Sequence, residues 1–416
     1  MPVTIGIWGI CRWLPPRCAP QATQNCWLAA FCEPQFWHVT ICCIFHRLSF
    51  TFLHYIRGFA VYQGLPAFSS CPLISLCYNH VMRIAEIGEF GLISKIASLI
   101  EEKGDRQSPA RRDLLLGIGD DAAAWKSPGG IELITTDTLV EGVHFDFNYT
   151  GWKDLGWKSM AINISDINSM GGRPRYALVS LALPGRRDAG DVLDLYRGLL
   201  EISNTYGIAV AGGNISASDK VVINITLTGL AEGNMMTRSS AQPGDLVAVF
   251  GFPGLSAAGR KALSQFINLD ADALQLFKNA HLRLVRDFNN GPLLAGLGVK
   301  TAIDISDGLA ADLTHICMAS GVKATLHLNS LPIHPLLTRY FGLEGLKMAL
   351  AGGEDYELLL TATPDIMKRV NATLDPAPVI IGEITAGKPY AVSLLDEGGN
   401  PVHIDFSGWD HYRRPD

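Results

Sequence analysis

Between Gly117 and His144 the chain reads GIGDDAAAWKSPGGIELITTDTLVEGVH, and this stretch constrains the fold more than any other. Asp120, Asp121, Asp137, Glu141 and His144 stand between apolar and glycine-rich segments, with only Lys126 to balance them. Unscreened like charges so close raise one another's pKa and destabilise a fold. A carboxylate-dense patch on strands and turns therefore points to bound cations. The bland alternative is two polar turns on a sheet edge. The choice depends on whether later segments supply partners for these carboxylates.

At 416 residues, with 48% hydrophobic and 18% charged side chains, the chain belongs to the soluble globular class and is long enough for at least two domains. Its charge is unevenly spread. Before Met82 there is no Lys, no Asp, a single acid (Glu33) and four Arg, with eight of the nine cysteines and four of the eight tryptophans. From Met82 onward 30 basic side chains face 39 acidic ones. So acidic a chain is a poor candidate for sequence-independent nucleic-acid binding, which depends on Lys and Arg. The apolar run Val39 to Phe68 is broken by His46, Arg47, His54 and Arg57, leaving no clean span of about 20 apolar residues for a membrane. Segment 1–81 lacks the basic head, apolar block and cleavage site of a secretory signal, and its cysteine spacings match no zinc pattern. We expect Met82, opening MRIAEIGEFGLISKI, to be the true start. Beyond it only Cys317 remains, which points to a reducing, cytoplasmic setting without disulfides.

From Met82 the periodicities alternate. Glu86 to Lys103 reads as a helix with Phe90, Ile93, Ile96, Ala97 and Ile100 on one face. Leu114 to Ile118 and Ile131 to Thr136 read as strands, the second delivering Asp137 at its end. Trp152 to Met170 reads as a helix stopped by Gly171-Gly172, with Asp166 in its last turns. Tyr176 to Leu183 is a strand, Asp191 to Tyr206 a helix, and Ile208 to Val210 a short strand running into Gly212-Gly213-Asn214. After a boundary at Ala241 to Asp245, Leu246 to Phe250 begins a second unit. Thr301 to Ile305 is a strand meeting Ser306-Asp307-Gly308, and Leu309 to Ser320 a helix. The reading is two mixed α/β domains, 82–240 and 241–416, after the segment 1–81.

Two nucleotide fingerprints are nearly present, and both fail. Gly117 to Ala122 fits G-x-G-x-x-A, but two aspartates occupy the turn and Trp125 to Gly130 cannot continue a helix. Gly382 to Pro389 is one residue short of a P-loop, with proline in place of the hydroxyl that holds Mg²⁺, and the residues after it resemble a hairpin. The acids form a better constellation. Asp120, Asp121, Asp137, Asp166, Asp304 and Asp307 all lie at element edges, where topology can bring them to one cleft. Taken singly, Asp307 reads equally as an N-cap and Asp120 as a turn former. Oxygen ligands without Cys or clustered His select Mg²⁺, whose usual second partner is a polyphosphate.

The motifs GIGDDAA, TTDTLVEGVHF, NISDINSMGG, GGN, TRS, DISDGL and AGGEDYEL, in this order, resemble those of thiamine-monophosphate kinases. These share an ATP-binding superfamily with aminoimidazole ribonucleotide synthetase and selenophosphate synthetase. The resemblance covers about 86–411, and segment 1–81 has no counterpart in it. It implies ATP-dependent phosphorylation of thiamine monophosphate to thiamine diphosphate. It implies a metal set of Asp120, Thr135, Thr136, Asp137, Asp166, Asp304 and Asp307 around several Mg²⁺ ions. Asp137, Asp166 and Asp307 are its central catalytic acids. Tyr196, Gly213, Arg238 and Ser306 would contact ATP, and His144, Glu354 and Trp409 the thiamine substrate. Many members carry Asp where this chain has Asn214, which weakens that position as a metal ligand. The family architecture implies a homodimer in which the first domains pair their sheets into a β-barrel.

The nucleophile in such a reaction is a phosphate oxygen, already anionic, so no general base is needed. No Ser–His–Asp set is expected, and His144 between Val143 and Phe145 reads equally as a satisfied sheet histidine. Rival readings differ in cheap features. A selenophosphate synthetase should carry a reactive Cys ahead of Asp120, and Met82 to Asp120 has none; a hydrogenase-maturation relative should end in Cys, whereas this chain ends Tyr412-Arg-Arg-Pro-Asp. An aminoimidazole ribonucleotide synthetase is disfavoured by AGGEDYEL. A non-enzymatic ATP-binding relative and a metal-dependent phosphohydrolase differ from a kinase in their response to ATP and thiamine monophosphate.

Overall fold

The computed structural model describes residues 83–116, 124–125, 129–284, 286–388 and 391–404. Segment 1–81, Asp120, Asp121 and Trp409 lie outside them, as does part of the strand expected at Leu114 to Ile118.

The first half is a sheet with helices on one face. Its elements are α1 (Ile84–Lys103), α2 (Pro109–Asp113), β1 (Leu114–Leu116), β2 (Ala124–Trp125), β3 (Ile131–Val140), α3 (Trp152–Ser169), β4 (Arg173–Leu183), α4 (Ala189–Thr205), β5 (Ala209–Ala217) and β6 (Val222–Ala231). The order in the four-stranded sheet is β3-β6-β4-β5, with β4 and β5 parallel and the other pairs antiparallel. Strand alternation sends Leu133, Leu139, Ile223, Ile225, Leu227, Val179 and Leu181 inward against α1, α3 and α4. On α1 the expected Ile96 and Ile100 are in the core, joined by Ile84, Leu92 and Leu99, while Ile93 and Ala97 are half-buried and the Phe90 side chain lies outside the described residues. The other face stays open, with Ile134 73% and Leu178 39% exposed.

Helices α3 and α4 cross at two glycines. A Cβ on Gly156 would stand 1.9 Å from the Leu195 carbonyl oxygen, and one on Gly198 1.8 Å from that of Lys153. The backbones can approach this closely only because neither position has a side chain.

Two expectations change here. Strand β3 runs on to Val140, paired with β6 throughout, so Asp137 lies within the strand opposite Ile225 and not at its end. The short strand expected at Ile208 to Val210 does not stop there: β5 continues through Gly212-Gly213-Asn214 to Ala217 beside β4. Gly213 is needed there because a Cβ would fall 1.9 Å from the Val179 carbonyl oxygen.

The second half comprises β7 (Leu246–Val249), α5 (Leu255–Ser264), α6 (Ala271–Leu282), α7 (Asn290–Gly296), β8 (Thr301–Asp304), α8 (Leu309–Ser320), β9 (Lys323–His327), α9 (Pro335–Phe341), α10 (Leu343–Ala351), β10 (Leu358–Ala362), α11 (Pro364–Thr373), β11 (Val379–Thr385), β12 (Val392–Leu395) and β13 (Pro401–Val402). Its seven-stranded sheet has the order β13-β12-β9-β11-β7-β10-β8. Both faces are covered, which explains the unbroken apolar runs. Val247, Val249 and Leu359 face Leu313 and Ile316 of α8, while Ala248, Leu358 and Leu360 face Leu294, Met367 and Val370. The hairpin expected after Pro389 forms: β12 and β13 pair antiparallel, Leu394 opposite Val402, across a turn in which the Gly399 N–H donates to the Asp396 carbonyl at 3.0 Å; β9 lies between β11 and β12.

The halves are joined by apolar packing and by the segment before α7. Leu284, Phe288 and Tyr356 pack into the core of the first half. Tyr206 stacks edge-on to Phe288 at 5.6 Å, and its hydroxyl donates to the Arg286 carbonyl at 3.0 Å. Among the described residues no helix is long and apolar enough to cross a membrane.

Candidate active site

Three carboxylates meet at this junction. Thr135 and Asp137 rise from the inner face of β3, Asp166 from the last turn of α3, and Asp304 ends β8. The Thr135 hydroxyl donates to Asp166 Oδ2 at 2.6 Å; Ser165 donates to Asp304 Oδ2 at 2.7 Å, tying the two halves together. The Asp137 and Asp166 carboxyls lie beside each other. Burial, then the charge of Asp137, pushes Asp166 up to about 7. Burial and the charge of Asp166 likewise push Asp304 up to about 7, and burial with Asp304 raises Asp137. Arg238, on an exposed loop, is the cation felt by both Asp166 and Asp304. Side chains in this state hold protons because positive charge is in short supply, and an oxygen-only donor set of this kind fits a hard divalent cation.

The expected metal set is divided by strand alternation. Thr136 emerges on the outer face of β3, where its hydroxyl donates to the Ile225 carbonyl at 3.2 Å. Asn214 pairs with Ser180 in register and is exposed on that same face. Neither side chain joins Asp137 and Asp166. Gly213 is exposed beside Asn214, whereas Tyr196 is 4% exposed within the core on α4.

The DISDGL and AGGEDYEL segments lie against each other through glycines. A Cβ on Gly308 (φ +124°) would stand 2.9 Å from the Ala351 carbonyl carbon, and one on Gly353 2.5 Å from the Ser306 oxygen. The Glu354 N–H donates to the Ser306 carbonyl and the Tyr356 N–H to that of Ile305, both at 2.8 Å. The N-cap position of α8 is Gly308 and not Asp307, and Asp312 in the first turn reaches back to brace the loop before it. Its Oδ2 accepts the N–H groups of Ser306, Asp307 and Gly308 at 3.1, 3.0 and 3.1 Å. Asp307, Asp312 and His315 bring ligand atoms within 4.8 Å of one another, extending the acidic region.

Glu354 and Tyr356 both hold left-handed backbone, at φ +65° and +51°, which costs non-glycine residues energy and persists only where neighbours enforce it. Three anchors enforce it. Asp355 accepts from the N–H groups of Gly254 and Ser256 at 2.5 and 3.0 Å, Glu357 pairs with Arg286 at 2.7 Å, and Glu354 pairs with buried Lys158 at 3.0 Å. Ser256 and Glu354 both address Nδ1 of His281, at 3.1 and 3.6 Å, and Ser256 is fully buried. They therefore form no Ser–His–acid relay, which needs the two ring nitrogens separately. His144 caps its own turn, its Nδ1 accepting from the Val140 N–H at 3.1 Å. Glu141, unassigned by sequence, is structural: it pairs with Arg187 at 2.8 Å and accepts the Val221 N–H at 2.8 Å.

Sequence reasoning missed Lys158, Ser165 and Asp312. Lys158 had a usable signal. A lysine inside an apolar helix, seven and eight residues before Ser165 and Asp166, shares their helix face.

Residues 119–231 match the family model "AIR synthase related protein, N-terminal domain", and 242–394 match the corresponding C-terminal domain. The thiamine-monophosphate kinase of Bacillus subtilis is 34% identical over 306 residues, spanning 72% of this chain and 94% of its own length. That of Escherichia coli K12 is 35% identical, spanning 79% and 99%. Among solved structures, the thiamine-monophosphate kinase of Stenotrophomonas maltophilia superposes with a TM-score of 0.65 at 32% identity, covering 74% of this chain and 96% of that one. A structure described as AaThiL complexed with AMPPCP and TMP superposes at 0.61 with 34% identity, covering 80% and 100%. With a shared fold, full-length coverage of these relatives and their identity above 30%, the chain belongs to the thiamine-monophosphate kinase family.

Proposed function

We propose that this chain transfers the γ-phosphate of ATP directly to thiamine monophosphate, giving thiamine diphosphate and ADP. The observation that carries the reading is the Asp137–Asp166–Asp304 cluster at the junction of the two halves, in a chain related to one solved with AMPPCP and TMP. The acceptor is a phosphate oxygen that is anionic at neutral pH, so the chain needs no residue to remove a proton. Its task is to hold two anionic phosphates in line. Asp137, Asp166 and Asp304, with Thr135 beside them, would hold Mg²⁺, and Asp120 and Asp307 would extend that set. Thr136 and Asn214, on the outer face, would serve a separate ion of the several implied. When bound, Mg²⁺ screens the repulsion between the phosphates and the charge of the transition state. Arg238 adds a forked donor for phosphate oxygens, and Gly213, Ser306 and Tyr196 are the remaining proposed ATP contacts. His144, Glu354 and Trp409 are the proposed contacts to thiamine.

The open sheet face, with Ile134 and Leu178 exposed, supports a homodimer in which two such sheets close into a barrel. Residues 82–240 and 241–416 are the proposed domains, and a cytoplasmic location is proposed for the enzyme. The test is ADP formation from ATP and Mg²⁺ with and without thiamine monophosphate. A kinase forms ADP only when the acceptor is present. Equal ADP formation without it contradicts the reading, and phosphate released from thiamine monophosphate without ATP supports a hydrolase instead.

A further inference from the structure

Lys158 is among the most deeply buried charges of the described residues. It sits on α3 at 2% exposure, and its ammonium pairs with Glu354 Oε1 at 3.0 Å. Glu354 comes from the other half of the protein, on the left-handed segment after α10, and its side chain is 28% exposed. Of this pair only the carboxylate reaches solvent.

We propose that Lys158 is a positioning residue: through its ion pair across the junction it fixes the Glu354 carboxylate in the substrate pocket as an anion, for a cationic, amino-bearing heteroaromatic substrate. The inference rests on the kinase reading and adds to it the residue that prepares Glu354. Several groups face Glu354. They are Lys158 on α3, His281 on α6, Arg260 on α5, Tyr149 in the turn before α3, and Tyr356 on its own segment. His281 does not carry the charge balance. Burial and the nearby Lys158 lower its pKa to about 3, and at 3.6 Å its Nδ1 is too far from Oε2 for a hydrogen bond. Burial alone would raise the Glu354 pKa, but the cations around it, Lys158 foremost, bring it below the ordinary value. Taking away Lys158 leaves a mostly buried carboxylate with its principal counter-charge gone, and such a group takes up a proton. Glu354 would then lose its attraction for a cationic ring, while the carboxylate cluster beside ATP stays intact.

The test is a double-mutant cycle on the full chain with Lys158→Met and Glu354→Gln. KM is measured for both substrates and Kd for thiamine monophosphate by calorimetry, from pH 6 to pH 9, each as a ratio to wild type. The ratio cancels the titration of the substrate's own phosphate. Lys158→Met should raise KM and Kd for thiamine monophosphate about tenfold or more at pH 6.5, with recovery toward pH 9 and an unchanged KM for ATP. Glu354→Gln should weaken the same substrate equally at every pH. The double variant should match Glu354→Gln within about twofold. A flat pH ratio for Lys158→Met, an equal effect on both substrates, or additive effects in the double variant overturns the inference. If Lys158→Met alone does not fold, the double variant, which leaves no charge unpaired, is compared with Glu354→Gln. A further weakening there overturns the inference as well. Failure of the wild-type chain to make thiamine diphosphate would instead refute the kinase reading.

Discussion

Three buried aspartates repel one another unless protons or cations intervene, and here each of Asp137, Asp166 and Asp304 has its pKa raised. Replacing one with asparagine removes charge without removing shape. Asp137→Asn and Asp166→Asn should each lower kcat about 10²-fold or more, the scale seen when a group that stabilises transition-state charge is lost. Thermal unfolding without divalent ions should be unchanged or shifted upward, because repulsion is relieved. Near-normal turnover by both variants contradicts the metal-cluster mechanism. At this scale much was legible: Asp137, Asp166 and Asp304 stood out as acids in apolar, glycine-flanked settings. Ser165 did not, because its importance lies in Asp304, distant along the chain, and although Lys158 was visible as a lysine inside an apolar helix, its partner Glu354 was not. Thr136 stands apart from Thr135 and Asp137 because a motif names neighbours, whereas a strand sends neighbours to opposite faces.

Elements bring those side chains together through close backbone approaches. Helix α3, which carries Lys158, Ser165 and Asp166, is seated on α4 through Gly156 and Gly198. An alanine at either position collides with a backbone carbonyl and not with a movable side-chain tip. Gly156→Ala or Gly198→Ala should therefore cost about 1–3 kcal/mol. The melting point should drop several degrees, while kcat per folded molecule stays close to wild type. Calorimetry beside a turnover assay checks this, and a stable Gly198→Ala variant would show that the crossing is looser than described. Helix α4 was readable from periodicity, since its buried residues recur every three to four positions, whereas α3 is buried on nearly all sides and was marked by its length and its Gly171-Gly172 stop. The glycines' purpose was not, because it is set by which two helices cross. The length of β5 was missed for a related reason: it was expected to be short, ending at Val210, but Gly213 serves close strand packing within it.

Over the whole molecule, alternating strand and helix signals announced mixed α/β architecture. Strand order could not be read, since nothing local tells β12 to pair with β9 rather than with β11. Charge makes a global prediction. Asp166 and Asp304 titrate near 7 in the folded chain against an ordinary 3.8. The metal-free folded state thus binds more protons than the unfolded state between about pH 4 and pH 7, and these groups make stability fall as pH rises through that window. Mg²⁺ has to displace those protons. Its effect on the melting temperature should therefore be larger at pH 8 than at pH 5.5, and an equal shift at both contradicts the placement of the ion. The most direct test of the central claim tracks the phosphate itself. The full chain is incubated with Mg²⁺, thiamine monophosphate and ATP labelled in the γ-phosphate. Direct transfer places the label in thiamine diphosphate, one per ADP formed. Label released as free phosphate, or retained on the protein, would contradict it.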